Sequence, residues 1–544
     1  MLSERSVQVA VGAVVASALV GGVYGRSAQA QSDRVDERYK VFSAAVAAIE
    51  GGYVEPVQTD RLVYGAITGM LQTLDPHSSF FDPKTYAQLR ERQEGRYYGL
   101  GITIQVVEDD ITVVSLFEGS PAYKKGIRRS DVIAEIEGES TKGWTTDQAV
   151  QKLKGPKGTA VKIGVRRKGF AELVRMEVVR DEIAIPTILG AFMVDDRTGY
   201  IRLRDFSETT DRELGRSLDD LQHKGMKRLV LDLRDNPGGP LDQAIRVSSR
   251  FLRRGEMVVY TRGRVQNSDQ DFRANEGGAV SDVPVVVLVN RNSASAAEIV
   301  TGALQDHDRA LIVGETTFGK ALVQSVYRIS QGAGLALTTA RYYTPSGRMI
   351  QRPWDGTFDE YLTYGLRDQQ SERQHAEADQ KATDSGRKVY SGGGVEPDRF
   401  VPGPVEGFNP SRFGRSLYGR QAFENFATRF VAEGDTRSEF AGANANRRAL
   451  PHNFVVDDGM VNEFREFLKS QHAPIDAAAF DKDIDFIRAM IHYQIDIAIF
   501  SIDEARRNLV ARDPQTQAAL GAFADAEALL RQRGTATASR AQRP

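Results

Sequence analysis

The chain has 544 residues, of which 41% are hydrophobic and 26% charged, with a net charge of −2. Such a balance suits a soluble globular protein of about two to four domains and gives no overall attraction to nucleic acid or an anionic membrane surface. The absence of cysteine excludes disulfides, thiolate metal sites and cysteine nucleophiles together.

Arg5 precedes "VQVAVGAVVASALVGGVYG", apolar apart from small polar residues, and Ala28-Gln29-Ala30 then fits the small-x-small rule for cleavage before Gln31. Residues 1–30 are therefore expected to be a signal peptide or, if uncleaved, an N-terminal anchor near the lower length limit for a span. The expected location is outside the cytoplasm, in the periplasm or cell envelope of a bacterium. Residues 36–95 carry apolar residues at helical spacing, with Asp75-Pro76 as a stop, and form an N-terminal helical segment. Residues 97–180 change to short β-branched strands broken by Gly, Asp and Pro, with one late helix, "TTDQAVQKLKG". From 181 to 402 strands alternate with helices, which implies βαβ units and a mainly parallel, buried sheet. Within that stretch, polar residues 352–393 read as a flexible insertion. Residues 403–544 return to helical patterns.

The chemistry gathers around "VPVVVLVN-RNSASAAEIVTGALQDH-DRALIVGE-TTFGK". A strand runs into a loop, Ser295 begins a helix, and a second strand follows, so a right-handed crossover makes the strands parallel. The helix start and the loop after the second strand then share the carboxyl edge, where open α/β sheets place their ligands. Lys320, 25 residues after Ser295, sits in that second loop. A lysine can serve as base if burial disfavours its ammonium, and serine–lysine pairs are a known variant of the catalytic triad. Gln324 is placed to hold the lysine if the stretch coils or bends back. Ala296 at the helix start, and Gly239 in "DLRDNPGG", offer backbone N–H groups for an oxyanion. His307 would lie about 16 Å from Ser295 along the helix axis, too far to act as its base. Each element also has a plain alternative: Ser295 as an N-cap, Lys320 in solvent, "NPGG" as a turn. Glu298 and Asp306 read as helix-surface or capping carboxylates.

Taken together, "LDPHSSFFDP", "GLGITI", "GSPAYKKGIRRSDVIAEIEG", "DLRDNPGG", "NSASAAEIVTGALQD", "GETTFGKALVQ" and "YYTPSGRMIQ" resemble, in order and spacing, the carboxyl-terminal processing peptidases, or tail-specific proteases, from about residue 36 to 400. The resemblance implies a crotonase/ClpP-like α/β core with an inserted β-rich PDZ domain over 97–180. It implies Ser295 as nucleophile, Lys320 as general base, Gln324 as the residue orienting it, Gly239 and Ala296 as oxyanion amides, and Ser293 as non-catalytic. In "YYGLGI", Gly99, Leu100, Gly101 and Ile102 would form the loop and strand edge that receive a peptide carboxylate. Relatives commonly have arginine where this chain has Lys154, and lysine lacks the guanidinium fork.

The expected activity is that of an exported serine endopeptidase acting on proteins with exposed C-terminal tails, without cofactor or metal. Nothing in the residues indicates nucleic acid. Membrane contact would run only through a retained N-terminal anchor, and the reading leaves room for an adaptor protein and a homo-oligomer. The rivals are a PDZ-bearing scaffold or chaperone on an inactive core and an acyl-CoA enzyme on the same core.

Overall fold

The computed structural model describes residues 37–541, except 168, 276, 279, 281, 355–360, 362–374, 404–410, 433–449 and 472. The expectation for residues 1–30 lies outside the described residues. Two compact units are present: residues up to Tyr86 with Val326–Leu337, and Ala87–Ser325 with the chain from Thr338 onward.

In the first unit, α1 (residues 37–52) and α2 (Thr59–Gln72) precede a short strand, β1 (Ser79–Phe81). The Asp75 carboxylate accepts the N–H groups of His77 and Ser78, fixing the turn after α2. β1 pairs antiparallel with Gly334–Ala336, and the Tyr64 and Phe80 rings lie 4.8 Å apart.

The second unit opens with α3 (Pro83–Glu94), whose first residues belong to the first unit, and a two-stranded ribbon of β2 (Arg96–Gly99) and β9 (Asp181–Ala184). Between these strands lies a small sheet ordered β3 (Ile102–Val107), β4 (Asp110–Leu116), β5 (Val132–Ile136), β7 (Ala160–Arg166) and β8 (Val174–Val179), with β6 (Glu139–Ser140) on β5. Alternation explains it: Ile111 and Val113 on β4, and Val161, Ile163 and Val165 on β7, point into one core. The short helix α4 (Pro121–Lys124) precedes α5 (Thr146–Leu153), which starts with a Thr145–Gln148 capping box and buries Ala149 and Leu153 in that core.

The larger sheet runs β10 (Ile188–Met193), β11 (Thr198–Leu203), β12 (Arg228–Asp232), β15 (Val285–Val289), β16 (Leu311–Gly314) and β21 (Arg399–Phe400). Only the β10–β11 pair is antiparallel. Both faces are covered, which is why "VVVLV" of β15 is apolar throughout. Val285, Val287 and Val289 face α6 (Thr210–His223), α7 (Leu241–Ser249) and α8 (Ala296–Asp306). Val286 and Leu288 face the opposite cluster, closed by Val510, Ala519, Ala522, Phe523 and Ala526. A second sheet contains β13 (Met257–Gly263), β14 (Gln270–Arg273), β17 (Leu322–Arg328) and β18 (Gly334–Tyr343).

Of the insertion expected over 352–393, residues 355–360 and 362–374 lie outside the described residues. Residues 380–390 form a hairpin of β19 (Gln380–Ala382) and β20 (Lys388–Tyr390). Three of its residues bond to groups after α8: Asp384 to His307 Nδ1 at 2.7 Å, the Ser385 N–H to Asp308 at 2.6 Å, and Arg387 to Asp308 and Asp398.

The C-terminal helices divide into two groups. α9 (Arg412–Gly419), α10 (Ala422–Ala432), α11 (Asp458–Ser470), α12 (Ala477–Lys482) and α13 (Ile484–Ile499) close on a phenylalanine-rich core that includes Phe423, Phe426, Phe464 and Phe480. α14 (Ile502–Val510), α15 (Pro514–Leu520) and α16 (Phe523–Ala541) supply the residues on the outer face of the large sheet. Among the described residues no helix is long and apolar enough to cross a membrane.

Candidate active site

Ser295 occupies the sharp turn between β15 and α8, with φ 55° and ψ −113°. A non-glycine residue held there stores about 1–3 kcal/mol of strain, which persists only where the surroundings over-determine it. They do so here. The Ser295 N–H donates to Glu298 Oε2 at 2.8 Å, and the Ser295 carbonyl accepts from the N–H groups of Glu298 and Ile299. Ser293, two residues earlier, is fully buried: its hydroxyl donates to the Leu233 carbonyl and accepts the Asn290 N–H.

Lys320 follows β16 in a loop that folds back beside α8. Its Nζ donates to Gln324 Oε1 at 2.9 Å, and both residues are half-buried. Three ties hold the Ser293–Ser295 and Phe318–Lys320 segments together. The Phe318 N–H donates to the Ser293 carbonyl at 2.9 Å. Glu298, with no exposed surface, accepts from the Ser295 and Lys320 N–H groups through Oε2 and from the Gly319 N–H and Thr317 hydroxyl through Oε1. The Tyr342 hydroxyl, also buried, reaches the carbonyls of both Ser295 and Lys320. Burial pushes the Glu298 carboxyl up to about 7, against the pull of its hydrogen bonds, which favour the anion.

Gly238 and Gly239, beyond β12, complete the cleft. Gly238 has φ 92°, and a Cβ there would meet the Ala296 nitrogen at 2.7 Å and Ser295 Cβ at 2.8 Å. Gly239 has φ 158°, and a Cβ would meet the Phe206 carbonyl oxygen at 2.1 Å. Only glycine lets this backbone come so close to the serine. The Gly238 N–H is used by Asn236 Oδ1 at 2.8 Å, whereas among the described residues neither the Gly239 nor the Ala296 N–H donates a hydrogen bond. Two neighbouring amides without acceptors, one on buried Ala296 and one on exposed Gly239, are what a developing oxyanion requires. His307 is occupied elsewhere, between Asp384 and the Met257 carbonyl.

Residues 197–357 match Peptidase family S41, residues 88–166 a PDZ domain, and residues 20–85 the activating protease CtpB N-terminal domain. Over 303 residues, 55% of this chain and 69% of the relative, the chain is 42% identical to a carboxy-terminal-processing protease of Bartonella bacilliformis. The chain belongs to the carboxyl-terminal processing protease family. It is also 36% identical over 348 residues, 63% of its length and 74% of the relative's, to carboxy-terminal processing protease CtpA of Bacillus subtilis. A solved photosystem II D1 C-terminal processing protease aligns over 66% of this chain and 92% of that one, at 27% identity and a TM-score of 0.34. As a family member the protein is a serine-type peptidase carrying a PDZ domain.

The PDZ loop runs from Gly99, paired with Asp181 at the end of β2, to Ile102 at the start of β3. The Leu100 and Gly101 carbonyls are taken by the Ala122 and Phe117 N–H groups, while among the described residues the Leu100 and Gly101 N–H groups donate to nothing. The Leu100 side chain is buried in the PDZ core, with Ile102 partly buried against it. Lys154, at the end of α5, pairs with Glu91 at 2.5 Å and lies 4.7 Å from the centre of the Tyr97 ring. Gln105 on β3 accepts from Gln421 at 3.1 Å, and Arg129 pairs with Glu424, so the C-terminal region contacts the PDZ domain. Among the described residues no group of three or more His, Asp or Glu could hold a metal ion.

Sequence reasoning missed Glu298, Tyr342 and the burial of Asp306, which pairs with buried Arg348. For Glu298 a signal existed: it sits at the third position of a helix whose other residues are nearly all apolar or small.

Proposed function

We propose that the protein is an exported endopeptidase that grips unstructured C-terminal tails through its PDZ domain and cuts peptide bonds with a Ser295–Lys320 dyad. In this mechanism the neutral Lys320 amine takes the proton of the Ser295 hydroxyl as Oγ bonds to the scissile carbonyl carbon. The oxygen, now negative, is received by the Gly239 and Ala296 N–H groups. The Lys320 ammonium then protonates the leaving nitrogen as the C–N bond breaks. Water gives a proton to Lys320 as it bonds to the acyl carbon, and Lys320 returns that proton to Ser295 Oγ as the acyl C–O bond breaks and the acid leaves. Gln324 Oε1 accepts one Nζ hydrogen and so turns the lone pair toward the serine. The Gly99–Ile102 loop takes the tail carboxylate on its free N–H groups, and the edge of β3 pairs with the tail. Export to the cell envelope follows from the leader pattern of residues 1–30.

The observation that carries this reading is the pair of bridges, Glu298 and Tyr342, that hold the backbones of Ser295 and Lys320 together while Lys320 Nζ meets Gln324. The test is cleavage of an unfolded, tailed protein by the Ser295→Ala and Ser293→Ala chains. The first should be inactive and still bind the tail, and the second should retain turnover. Cleavage by Ser295→Ala at the parent rate would refute the dyad. Tail binding without turnover in the parent chain would favour the scaffold instead.

A further inference from the structure

Arg234, the third residue of "DLRDNPGG", is 9% exposed, so its charge must be met by partners rather than water. Its Nε and Nη2 donate to the Asp232 carboxylate at 3.0 and 2.7 Å. Asp232 lies two residues back on the same strand and, accepting the Tyr200 hydroxyl at 2.6 Å, ties the arginine to the sheet. A second hold, on a separate element, comes from 279 to 282 residues further along the chain. Nη1 pairs with Asp513 Oδ2 at 2.5 Å and donates to Gln515 Oε1 at 3.0 Å, and Nη2 donates to Thr516 Oγ1 at 3.2 Å. Asp513 is itself oriented, accepting the Thr516 hydroxyl at 2.6 Å and the Gln515 N–H at 3.1 Å.

The residues after Arg234 make this hold consequential. Asp235 has φ 58°, a left-handed conformation unfavourable for a side chain with a Cβ. On its far side Asp235 is gripped by Asn290 and Asn292, and Asn236 by the Leu203 carbonyl and the Ala294 N–H. The turn is therefore stretched between those contacts and the Arg234 anchor, and three residues later it delivers Gly239.

We infer that Asp513 is a positioning residue for the oxyanion loop, acting through Arg234; the inference rests on the assignment of the Gly239 amide as an oxyanion donor. The helical tail is thereby part of how the cleft is built. With Asp513 neutralised, Arg234 keeps Asp232 but loses its strongest tie to another element, and the Gly239 amide drifts from the reacting oxygen. A displaced donor costs less than the roughly 10²–10³-fold of a deleted one, so the fall in kcat should be about 10- to 100-fold.

The experiment uses the full chain with Asp513→Asn, Asp513→Glu and Thr516→Val. Active sites are titrated with a fluorophosphonate, kcat and KM are measured on a fluorogenic tailed peptide, and binding of a peptidyl boronate, which mimics the oxyanion adduct, is measured alongside. In Asp513→Asn, kcat per titrated site should fall by that factor, KM should stay within about twofold, and boronate affinity should fall in step with kcat. Asp513→Glu should recover part of the loss. If Asp513→Asn does not fold, Thr516→Val, which removes one neutral contact, should show the same pattern in smaller measure. An unchanged kcat per titrated site, whatever the melting temperature does, overturns the inference and leaves Asp513 a stabilising residue only. A parent chain whose Ser295 is neither labelled nor able to turn over peptide would instead overturn the reading of the site, and this inference with it.

Discussion

Glu298→Gln tests how the nucleophile and base are held. The carboxylate accepts four hydrogen bonds, two on each oxygen. A glutamine can keep two of them. With its oxygen toward Thr317 and Gly319, its NH2 group faces the Ser295 and Lys320 N–H groups, donor against donor. Two buried amides left unpaired cost about 1–3 kcal/mol each, or about 2–6 kcal/mol together. Loss of the buried charge works the other way. Burial raises this carboxyl from 4.5 to about 7, so ionising it in the folded state costs about 3 kcal/mol more than in an exposed glutamate. Because the folded value lies above the unfolded one, the parent binds more protons folded than unfolded between about pH 4.5 and 7. Its stability therefore falls as pH rises through that window, and the slope should vanish in Glu298→Gln. At pH 8 the two effects oppose each other, so the net change lies between a gain of about 1 and a loss of about 3 kcal/mol, whereas kcat per titrated site should drop about 100-fold because the serine and lysine turns are no longer held on one group. Urea unfolding from pH 4.5 to 8.5 and peptide turnover at pH 8 give both readouts. A kcat within threefold of the parent, with the pH slope of stability intact, would show the reasoning to be wrong.

Three further outcomes are expected. Gly239→Ala would drive a methyl group into the Phe206 carbonyl, so turnover should fall about 10²- to 10³-fold while tail binding, read by calorimetry, is kept; retained turnover contradicts the assigned oxyanion loop. Gln324→Leu removes the acceptor of Lys320 Nζ and should lower kcat about 10-fold with little change in KM, and an unaltered kcat argues against the orienting role. For His307, burial opposes the proton, but the Asp384 hydrogen bond and the Glu256 charge outweigh it and raise the pKa. Stability from this pair is thus full below about pH 6.5 and lost as pH rises through the raised value. Asp384→Asn should therefore cost about 1 kcal/mol at pH 6 and little at pH 8.5, and equal losses at both would count against the pairing.

Much of the core was readable from local pattern. "VVVLV" can only be a strand covered on both sides, and a serine at a strand–helix junction with a lysine after the next strand falls at one sheet edge by topology alone. Gln324 meets Lys320 from within β17, a strand that begins at Leu322, two residues after the lysine. What could not be read was tertiary. Glu298 looks like any helix-capping carboxylate until the loop of Thr317–Lys320 closes over it, and Tyr342 lies 47 residues from Ser295. The polarity of 380–390 suggested solvent because its charged partners on Asp308 and Asp398 are far off in sequence or close only in space.

The outer face of the catalytic sheet has a consequence for the order of assembly. Phe192, Tyr200, Val230, Val286 and Leu288 share a cluster with Val510, Ala519, Ala522, Phe523 and Ala526 of the closing helices. A chain made from its amino end therefore carries Ser295, Lys320 and both glycines well before the residues that cover this face of its main sheet. The sheet that would position the proposed dyad is finished only when the closing helices emerge.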